Sequence, residues 1–191
     1  MNKKVHESIL YIIIRPLIKL YTKLIIRPKY EGLDNIPVNG KIILAGTHTS
    51  KLDPLVLISS TKRPIHFFAK KELWDFPKSI IFNHLGLIKV DRQTHTTDSL
   101  GEGKKYLDND KLVLIFPEGT IEKDKGKLLP FKIGVVKLAY DTDTPIIPFT
   151  ISGDYKSKNV VVKFGKQVKV KTNDLDEELD KLKNIIEDMR K

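Results

Sequence analysis

The sequence predicts an α/β fold with a mostly parallel central sheet and helices on both faces, preceded by an N-terminal interfacial helix or helix pair. Short apolar runs alternate with helical patterns from Pro37 onwards, as in parallel α/β proteins. The first 30 residues instead combine a wide apolar surface with regularly spaced basic residues. The chain has 191 residues, 40% of them hydrophobic, which is enough for one core. We therefore predict a membrane-interface segment over 1–30 and an α/β domain over 31–191.

The N-terminal segment carries Arg15, Lys19, Lys23 and Arg27 at a spacing of four, which places one basic stripe along an apolar helix. Its longest uncharged run, residues 8–14, is far shorter than the roughly 20 residues that span a bilayer. A signal peptide is not expected either, because a charge and a proline interrupt the short apolar run. The pattern favours a helix in the membrane interface, with Pro16 as a kink or a break. The alternative is a helix packed on the protein's own core with its lysines in water.

The remaining elements follow from short apolar runs and helical periodicity. Strands are predicted over 42–45, 65–69, 87–90, 112–116 and 146–151, and helices over 55–60, 72–84, 98–107 and 132–141. Residues 160–164 and 166–170 flank Gly165 and predict a terminal hairpin or bent strand. A last helix is predicted over 174–190, where apolar residues recur along one face.

Composition limits the chemistry that is available to the chain. It contains no cysteine, which excludes disulfides, thiolate nucleophiles and Cys-ligated zinc, and which fits a reducing compartment. The net charge of +10 favours an anionic partner such as nucleic acid, acidic lipid headgroups or a phosphorylated substrate. The first 30 residues hold seven bases against one acid, and these bases are mixed with isoleucine and leucine rather than with exposed aromatic residues suited to nucleic-acid bases. This mixture disfavours nucleic acid.

The segment from Gly46 to Pro54 contains the first candidate for chemistry. His48 and Asp53 would lie about 140° apart on an ideal helix, so a regular helix would separate them. A strand-to-helix turn, with Asp53 as helix cap and Pro54 at the first helical position, allows the carboxylate to fold back towards the imidazole. Such a pair contains a base and the group that orients it. The alternative is an ordinary helix start beside a solvated histidine.

Two further predicted strands end in polar residues. Asp91 and Arg92 follow the strand over 87–90, and Glu118, Gly119 and Thr120 follow the strand over 112–116. Open α/β sheets bind ligands outside the carboxyl ends of their strands, so these residues are candidates for the same crevice as His48. A tight turn with a solvated glutamate is the alternative for the second group.

These residues together resemble a known family, the 1-acylglycerol-3-phosphate acyltransferases among the glycerolipid acyltransferases. The likeness covers roughly residues 35–150, and four short motifs in order and spacing carry it. They are His48-x4-Asp53, Gly86-Leu-Ile-Lys-Val-Asp-Arg92, Phe116-Pro-Glu-Gly-Thr120 and Thr144-Pro-Ile-Ile-Pro148. Two positions depart from the family pattern: Thr47 replaces an asparagine, and Ile121 replaces an arginine of the region that holds the polar end of the acceptor.

The resemblance implies acyl transfer from acyl-CoA or acyl carrier protein to a lysophospholipid hydroxyl. The acceptor is expected to be 1-acylglycerol-3-phosphate, which gives phosphatidic acid. His48 would act as the general base, and Asp53 would orient its ring. The acyl donor is a substrate, so no cofactor is expected. The alternative is a non-catalytic phospholipid-binding or lipid-remodelling protein on the same fold.

Further roles follow for the substrate-binding residues. Arg92 suits a phosphate because its guanidinium donates through a planar fork, and Lys70 or Lys71 would add point charge. Glu118, with Gly119 and Thr120, would order the turn or bind acceptor hydroxyls, by resemblance. No metal is expected, because cysteine is absent and the histidines show no ligand spacing. The expected location is the cytoplasmic face of a membrane, as a peripheral or monotopic protein.

Overall fold

A computed structural model describes residues 9–75, 85–90, 98–122 and 127–191. The described residues form one seven-stranded sheet with the order β1-β7-β6-β2-β5-β3-β4. Every neighbouring pair is parallel except β6 and β7. The predicted α/β class with a mostly parallel sheet is therefore confirmed. The strands are β1 (Lys29–Glu31), β2 (Ile42–Gly46), β3 (Ile65–Lys70), β4 (Ile88–Val90), β5 (Leu112–Ile115), β6 (Ile146–Ser152) and β7 (Val161–Phe164).

Helices connect and flank these strands. They are α1 (Ile9–Tyr21), α2 (Asp53–Ser60), α3 (Asp98–Leu107), α4 (Gly134–Asp141) and α5 (Leu175–Arg190). A π-helical turn (Thr22–Ile26) continues α1, and short 3-10 helices occupy Leu33–Asn35 and Lys71–Trp74. The last helix begins with an Asp174 side chain that accepts a hydrogen bond from the Glu177 N–H, which is an ordinary N-terminal cap.

The core lies on both faces of the sheet, because the central strands are buried on both sides. On β2, Ile42 and Leu44 face a cluster that includes residues of α1 and α2, whereas Ile43 and Ala45 face a cluster formed with α3, α4 and α5. All four side chains are at most 2% exposed. The helices therefore cover both faces, as the sequence predicts.

The N-terminal helix α1 is half buried and half exposed. Tyr11 is buried and its hydroxyl accepts a hydrogen bond from the Ile65 N–H at 3.0 Å. The helix runs through Pro16 without ending, so the break that the sequence allows there is not found. The boundary predicted after residue 30 falls inside β1, which pairs with β7. Within the part of the chain that the structure describes, no helix is both long and apolar enough to cross a bilayer.

Three local expectations need correction or remain open. Strand β1 was not predicted, because its sequence Lys-Tyr-Glu lacks an apolar run. Residues 166–170 form no regular strand; Val168 makes one isolated antiparallel bridge with Ile146. The predicted helix over 72–84 begins as the 3-10 helix Lys71–Trp74, and its residues 76–84 lie outside the described residues.

Candidate active site

The loop between β2 and α2 brings His48 and Asp53 together. Nδ1 of His48 lies 2.9 Å from Oδ2 of Asp53, and the same oxygen accepts hydrogen bonds from the backbone N–H groups of Thr49 at 2.6 Å and Ser50 at 2.9 Å. Asp53 is therefore not a helix cap as predicted: α2 begins at Asp53 itself, after Leu52, and the carboxylate turns back onto the preceding loop. This arrangement holds an anionic oxygen beside the imidazole.

The other oxygen of Asp53 contacts a distant part of the chain. Oδ1 accepts a hydrogen bond from the Tyr155 hydroxyl at 2.6 Å and a longer one from the Thr49 hydroxyl at 3.3 Å. Asp53 is 0% exposed, so these donors replace water around the carboxylate. Burial raises the pKa of Tyr155 well above its ordinary value, and the Asp53 charge raises it further, so the phenol stays a donor. Sequence reasoning missed Tyr155, because no spacing links it to residue 53.

The turn after β5 holds the backbone of His48. The His48 N–H donates to Oε1 of Glu118 at 3.2 Å, and the His48 carbonyl accepts from the Glu122 N–H at 2.8 Å. The imidazole stacks on Phe116 with ring centroids 3.9 Å apart and planes inclined by 13°. Together with Asp53, these contacts hold the backbone, Nδ1 and one ring face of His48, and among the described residues Nε2 makes no hydrogen bond. An ionised carboxylate only accepts hydrogen bonds, so the tautomer that fits this contact carries its proton on Nδ1 and leaves Nε2 to act as a base.

Glu118 is turned towards backbone donors. Its second oxygen, Oε2, accepts from the Leu129 N–H at 3.0 Å, so both oxygens hold main-chain groups. The side chain is buried, and burial raises the pKa of Glu118, an effect that the two N–H groups partly oppose. Of the two roles that the resemblance implies, this geometry corresponds to ordering the turn rather than to binding acceptor hydroxyls.

The other predicted binding residues lie around the same turn, at the end of β3 or outside the described residues. Gly119 has a positive φ of 66°, and a Cβ there would lie 3.0 Å from Cε and Nζ of Lys132, so glycine makes room for that side chain. Thr120 is exposed next to it, and Lys70 is exposed at the end of β3. Arg92 lies outside the described residues.

Thr47, which stands where the family has asparagine, has a structural contact. It is buried, and its hydroxyl accepts a hydrogen bond from the Ile151 N–H at 2.8 Å. The contact joins the end of β2 to β6 beside Gly46, where a Cβ would lie only 2.0 Å from the Phe149 carbonyl oxygen. Thr47 therefore fixes the start of the His48 loop and takes no part in the contacts of the imidazole.

His48 lines a cavity of about 1000 Å³. One wall is α1, through Tyr11, Ile14, Arg15 and Ile18, and another is α2, through Pro54, Leu55 and Ile58. Most other lining side chains are apolar, and the lysines Lys51, Lys70 and Lys132 also line it. Ile121 contributes an apolar wall where the family pattern has arginine.

Arg15 departs from the predicted basic stripe. Its guanidinium donates to the Thr61 carbonyl oxygen just after α2, and the residue lines the cavity, whereas Lys19, Lys23 and Arg27 are exposed. Helical periodicity groups Arg15 with Lys19 and could not reveal that it turns towards α2. Across residues 9–75, 85–90, 98–122 and 127–191, no cluster of three or more His, Asp or Glu side chains could hold a metal ion.

Comparison with known proteins identifies the family of the chain. A family model described as Acyltransferase matches residues 27–152, more than half of the chain. The chain belongs to the Acyltransferase family. The match includes the His48 loop, the turn at Glu118 and the strand β6, whose end leads to Tyr155.

Curated Acyltransferase relatives carry more specific names. A 1-acyl-sn-glycerol-3-phosphate acyltransferase of Borreliella burgdorferi is 31% identical over 149 residues, which is 75% of this chain and 59% of that protein. The alpha form of that enzyme from Mus musculus is 31% identical over 140 residues, 70% of this chain and 48% of that protein. The chain thus spans about half the length of the curated relatives that it matches.

A solved structure has the same fold. The crystal structure of the 1-acyl-sn-glycerophosphate (LPA) acyltransferase PlsC from Thermotoga maritima superposes with a TM-score of 0.73 at 23% identity, covering 91% of this chain and 77% of that one. The likeness shows that this Acyltransferase family member and that protein share a fold over most of the chain.

Proposed function

We propose that this protein transfers a fatty acyl group from acyl-CoA or acyl carrier protein to the hydroxyl of 1-acylglycerol-3-phosphate, giving phosphatidic acid. One observation carries the proposal: an imidazole held through Nδ1 by a buried carboxylate lines a largely apolar cavity of about 1000 Å³. The names of the curated relatives, which are acyltransferases acting on 1-acylglycerol-3-phosphate, support the choice of acceptor.

The reaction needs a base and no nucleophilic side chain. Nε2 of His48 takes the proton of the acceptor hydroxyl while that oxygen attacks the thioester carbonyl carbon and forms the new C–O bond. The tetrahedral intermediate then collapses, the C–S bond breaks, and the leaving thiolate takes the proton from the imidazolium. Asp53 stabilises the imidazolium between these two transfers, because its charge lies 2.9 Å from Nδ1.

The surroundings of His48 suit an amphiphilic substrate. The apolar walls formed by α1 and α2 accommodate an acyl chain, which loses contact with water on entering the cavity. The exposed side chains of Lys51, Lys70 and Lys132 on the cavity wall supply positive charge for phosphate groups of acceptor or donor. Arg92 is proposed as the bidentate phosphate ligand, on the resemblance alone.

The N-terminal helix is proposed to dock the enzyme on the cytoplasmic face of a membrane, as a peripheral or monotopic protein. Ile9 is 75% exposed, Leu17 62% and Ile13 58%, on the side of α1 that faces away from the core. Each fully buried apolar side chain contributes roughly 1.5 to 3 kcal/mol, and each basic residue near an anionic surface about 1 kcal/mol. Insertion of the apolar residues therefore dominates over attraction of Lys19 and Lys23.

An assay of the purified protein with a panel of lysolipids and acyl thioesters tests the proposal. We expect acylation of 1-acylglycerol-3-phosphate that disappears in His48→Ala, with both proteins giving the same circular dichroism and unfolding midpoint. Wild-type rates in folded His48→Ala would refute the mechanism. Binding of lysolipid vesicles without acyl transfer by any donor would instead favour the non-catalytic alternative.

A further inference from the structure

We propose that Tyr155 is a positioning residue that limits how strongly Asp53 holds the proton of His48. The inference rests on the proposed function, in which His48 must be neutral to accept a proton. Tyr155 does not line the cavity; its hydroxyl donates to Asp53 Oδ1, the oxygen that the imidazole does not use. We expect its effect on the reaction to pass through this carboxylate.

The donors around Asp53 differ in origin. Among the described residues, the donors at Oδ2 all come from positions 48–50, within five residues of Asp53. Tyr155 lies 102 positions away, in the connection between β6 and β7, and it makes the shorter of the two contacts at Oδ1. Strands β2 and β6 are parallel neighbours, so their carboxyl ends bring the His48 loop and this connection to the same edge of the sheet. The local loop orients the carboxylate, and Tyr155 adds a donor on its far side.

This extra donor disperses the charge of the carboxylate. A hydrogen bond to an ionised oxygen is roughly twice as strong as one between neutral groups, and it draws negative charge towards the oxygen that receives it. With Tyr155 at Oδ1, less charge remains at Oδ2 to hold the imidazolium. Because the pKa of Tyr155 is raised, the phenol does not ionise and reverse this effect.

Other charged groups face the same loop but stay unchanged when Tyr155 is altered. Glu118 contacts the His48 N–H from the turn after β5, and Glu122, which pairs with Arg190 of α5 at 3.6 Å, contacts the His48 carbonyl through its N–H. The charged residues that share the cavity with His48 are Arg15 from α1, Lys51 from the loop, Lys70 from β3 and Lys132. Of these described groups, none hydrogen-bonds to Asp53, so the Tyr155 contact can be tested separately.

Tyr155→Phe removes the hydroxyl and keeps the ring. Oδ1 then retains only the long Thr49 contact, more charge remains at Oδ2, and the imidazolium is stabilised. We expect the titration midpoint of His48 to rise by about 0.5 to 1 pH unit. Below this midpoint kcat/KM should fall about 3- to 10-fold, because less of the base is neutral, while the alkaline plateau changes by less than about threefold. If Tyr155 served only to maintain packing, Tyr155→Phe would instead lower the rate at every pH.

The control is Tyr30→Phe. Tyr30 is also a half-buried tyrosine whose hydroxyl is hydrogen-bonded, to the Val56 carbonyl at 2.8 Å and to the Ser59 hydroxyl at 2.5 Å, and burial raises its pKa to about 12. It packs against the same core cluster as Tyr155 but lacks a contact with Asp53. Both variants lose one buried hydroxyl, so both should lose some stability, and only Tyr155→Phe should move the His48 titration.

The decisive measurement is an NMR titration of the histidine ring protons in the full-length protein, with the His48 signal assigned by its loss in His48→Gln. It needs no substrate, so it tests Tyr155 even if acyl transfer is not found. A second variant carries 3-fluorotyrosine at position 155; this more acidic phenol is a stronger donor and should lower the midpoint. An unchanged or lower midpoint in Tyr155→Phe, or an equal rise in Tyr30→Phe, overturns the proposal.

Discussion

Replacing Asp53 by asparagine removes the charge beside His48 while keeping the shape of the side chain. The neighbours determine how the new amide will point. At the Oδ2 position the backbone N–H groups of Thr49 and Ser50 cannot rotate, so the amide oxygen must occupy it. The amide NH2 then faces Tyr155, whose hydroxyl can turn and accept. His48 Nδ1 therefore still donates to an oxygen, and the tautomer with a basic Nε2 is retained.

Asp53→Asn is expected to lose only the stabilisation that the negative charge of Asp53 gives to the His48 imidazolium. A charge-assisted hydrogen bond exceeds a neutral one by about 1.5 kcal/mol, which sets the lower limit. Two unit charges about 4 Å apart at an effective dielectric constant of about 20 interact by roughly 4 kcal/mol, which sets the upper limit. Since about 1.4 kcal/mol corresponds to a tenfold change in rate, kcat should fall between about 10- and 1000-fold.

Single-turnover acyl transfer by folded Asp53→Asn, compared with wild type at saturating substrates, measures this loss. Asp53→Ala is the informative companion, because it also leaves the half-buried Thr49 and Ser50 N–H groups without the carboxylate as acceptor and should cost up to about 1 kcal/mol of stability for each. A rate for Asp53→Asn within twofold of wild type would show that the charge does not stabilise an imidazolium, and the base mechanism would be refuted.

Two further predictions concern the substrate and the membrane. If Arg92 binds the acceptor phosphate bidentately, Arg92→Lys should not restore the acyl-transfer activity that Arg92→Ala loses. The loss of activity should be confined to phosphorylated acceptors. An equal loss with a phosphate-free acceptor would mean that the residue is structural. Changing the exposed residues Ile13 and Leu17 to glutamine should release the protein from anionic vesicles in a pelleting assay. Val38 is 81% exposed but lies outside α1, so Val38→Gln should leave binding unchanged. Binding of the double variant equal to that of wild type would argue against insertion of α1.

The sheet was largely predictable because its central strands are buried on both faces and appear as short continuous apolar runs. Ile42 to Ala45 is such a run, and each of these residues lies in one of the two core clusters. Strands at the edge of the sheet have a weaker hydrophobic pattern in the sequence. Strand β1 has three residues and no apolar run, and its pairing with β7 depends on residues more than 130 positions away. Local pattern cannot supply such a partner.

The site was predictable where its contacts are local. His48 lies in the loop after β2 and Asp53 begins α2 only five residues later, so the turn that joins them could be inferred from a strand end, a proline and a helix pattern. Tyr155 could not be inferred, because its contact requires β6 beside β2 and a particular path of the following connection. Arg15 shows the same limit: periodicity assigns it to the exposed stripe, but a carbonyl oxygen at the end of α2 turns it inwards.

Residues 116–122 contact both the backbone and the ring of His48. The two motifs are distant in sequence, but each depends on the other for its position. The carboxylate of Glu118 accepts a hydrogen bond from the His48 N–H, and the Glu122 N–H donates one to the His48 carbonyl. Phe116 stacks on the imidazole. Substitutions in the two segments should therefore be non-additive, since either one releases the same imidazole. A transplant of residues 46–54 alone onto another α/β sheet would keep the pairing of His48 with Asp53 but lose the contacts that residues 116–122 make with the backbone and ring of His48.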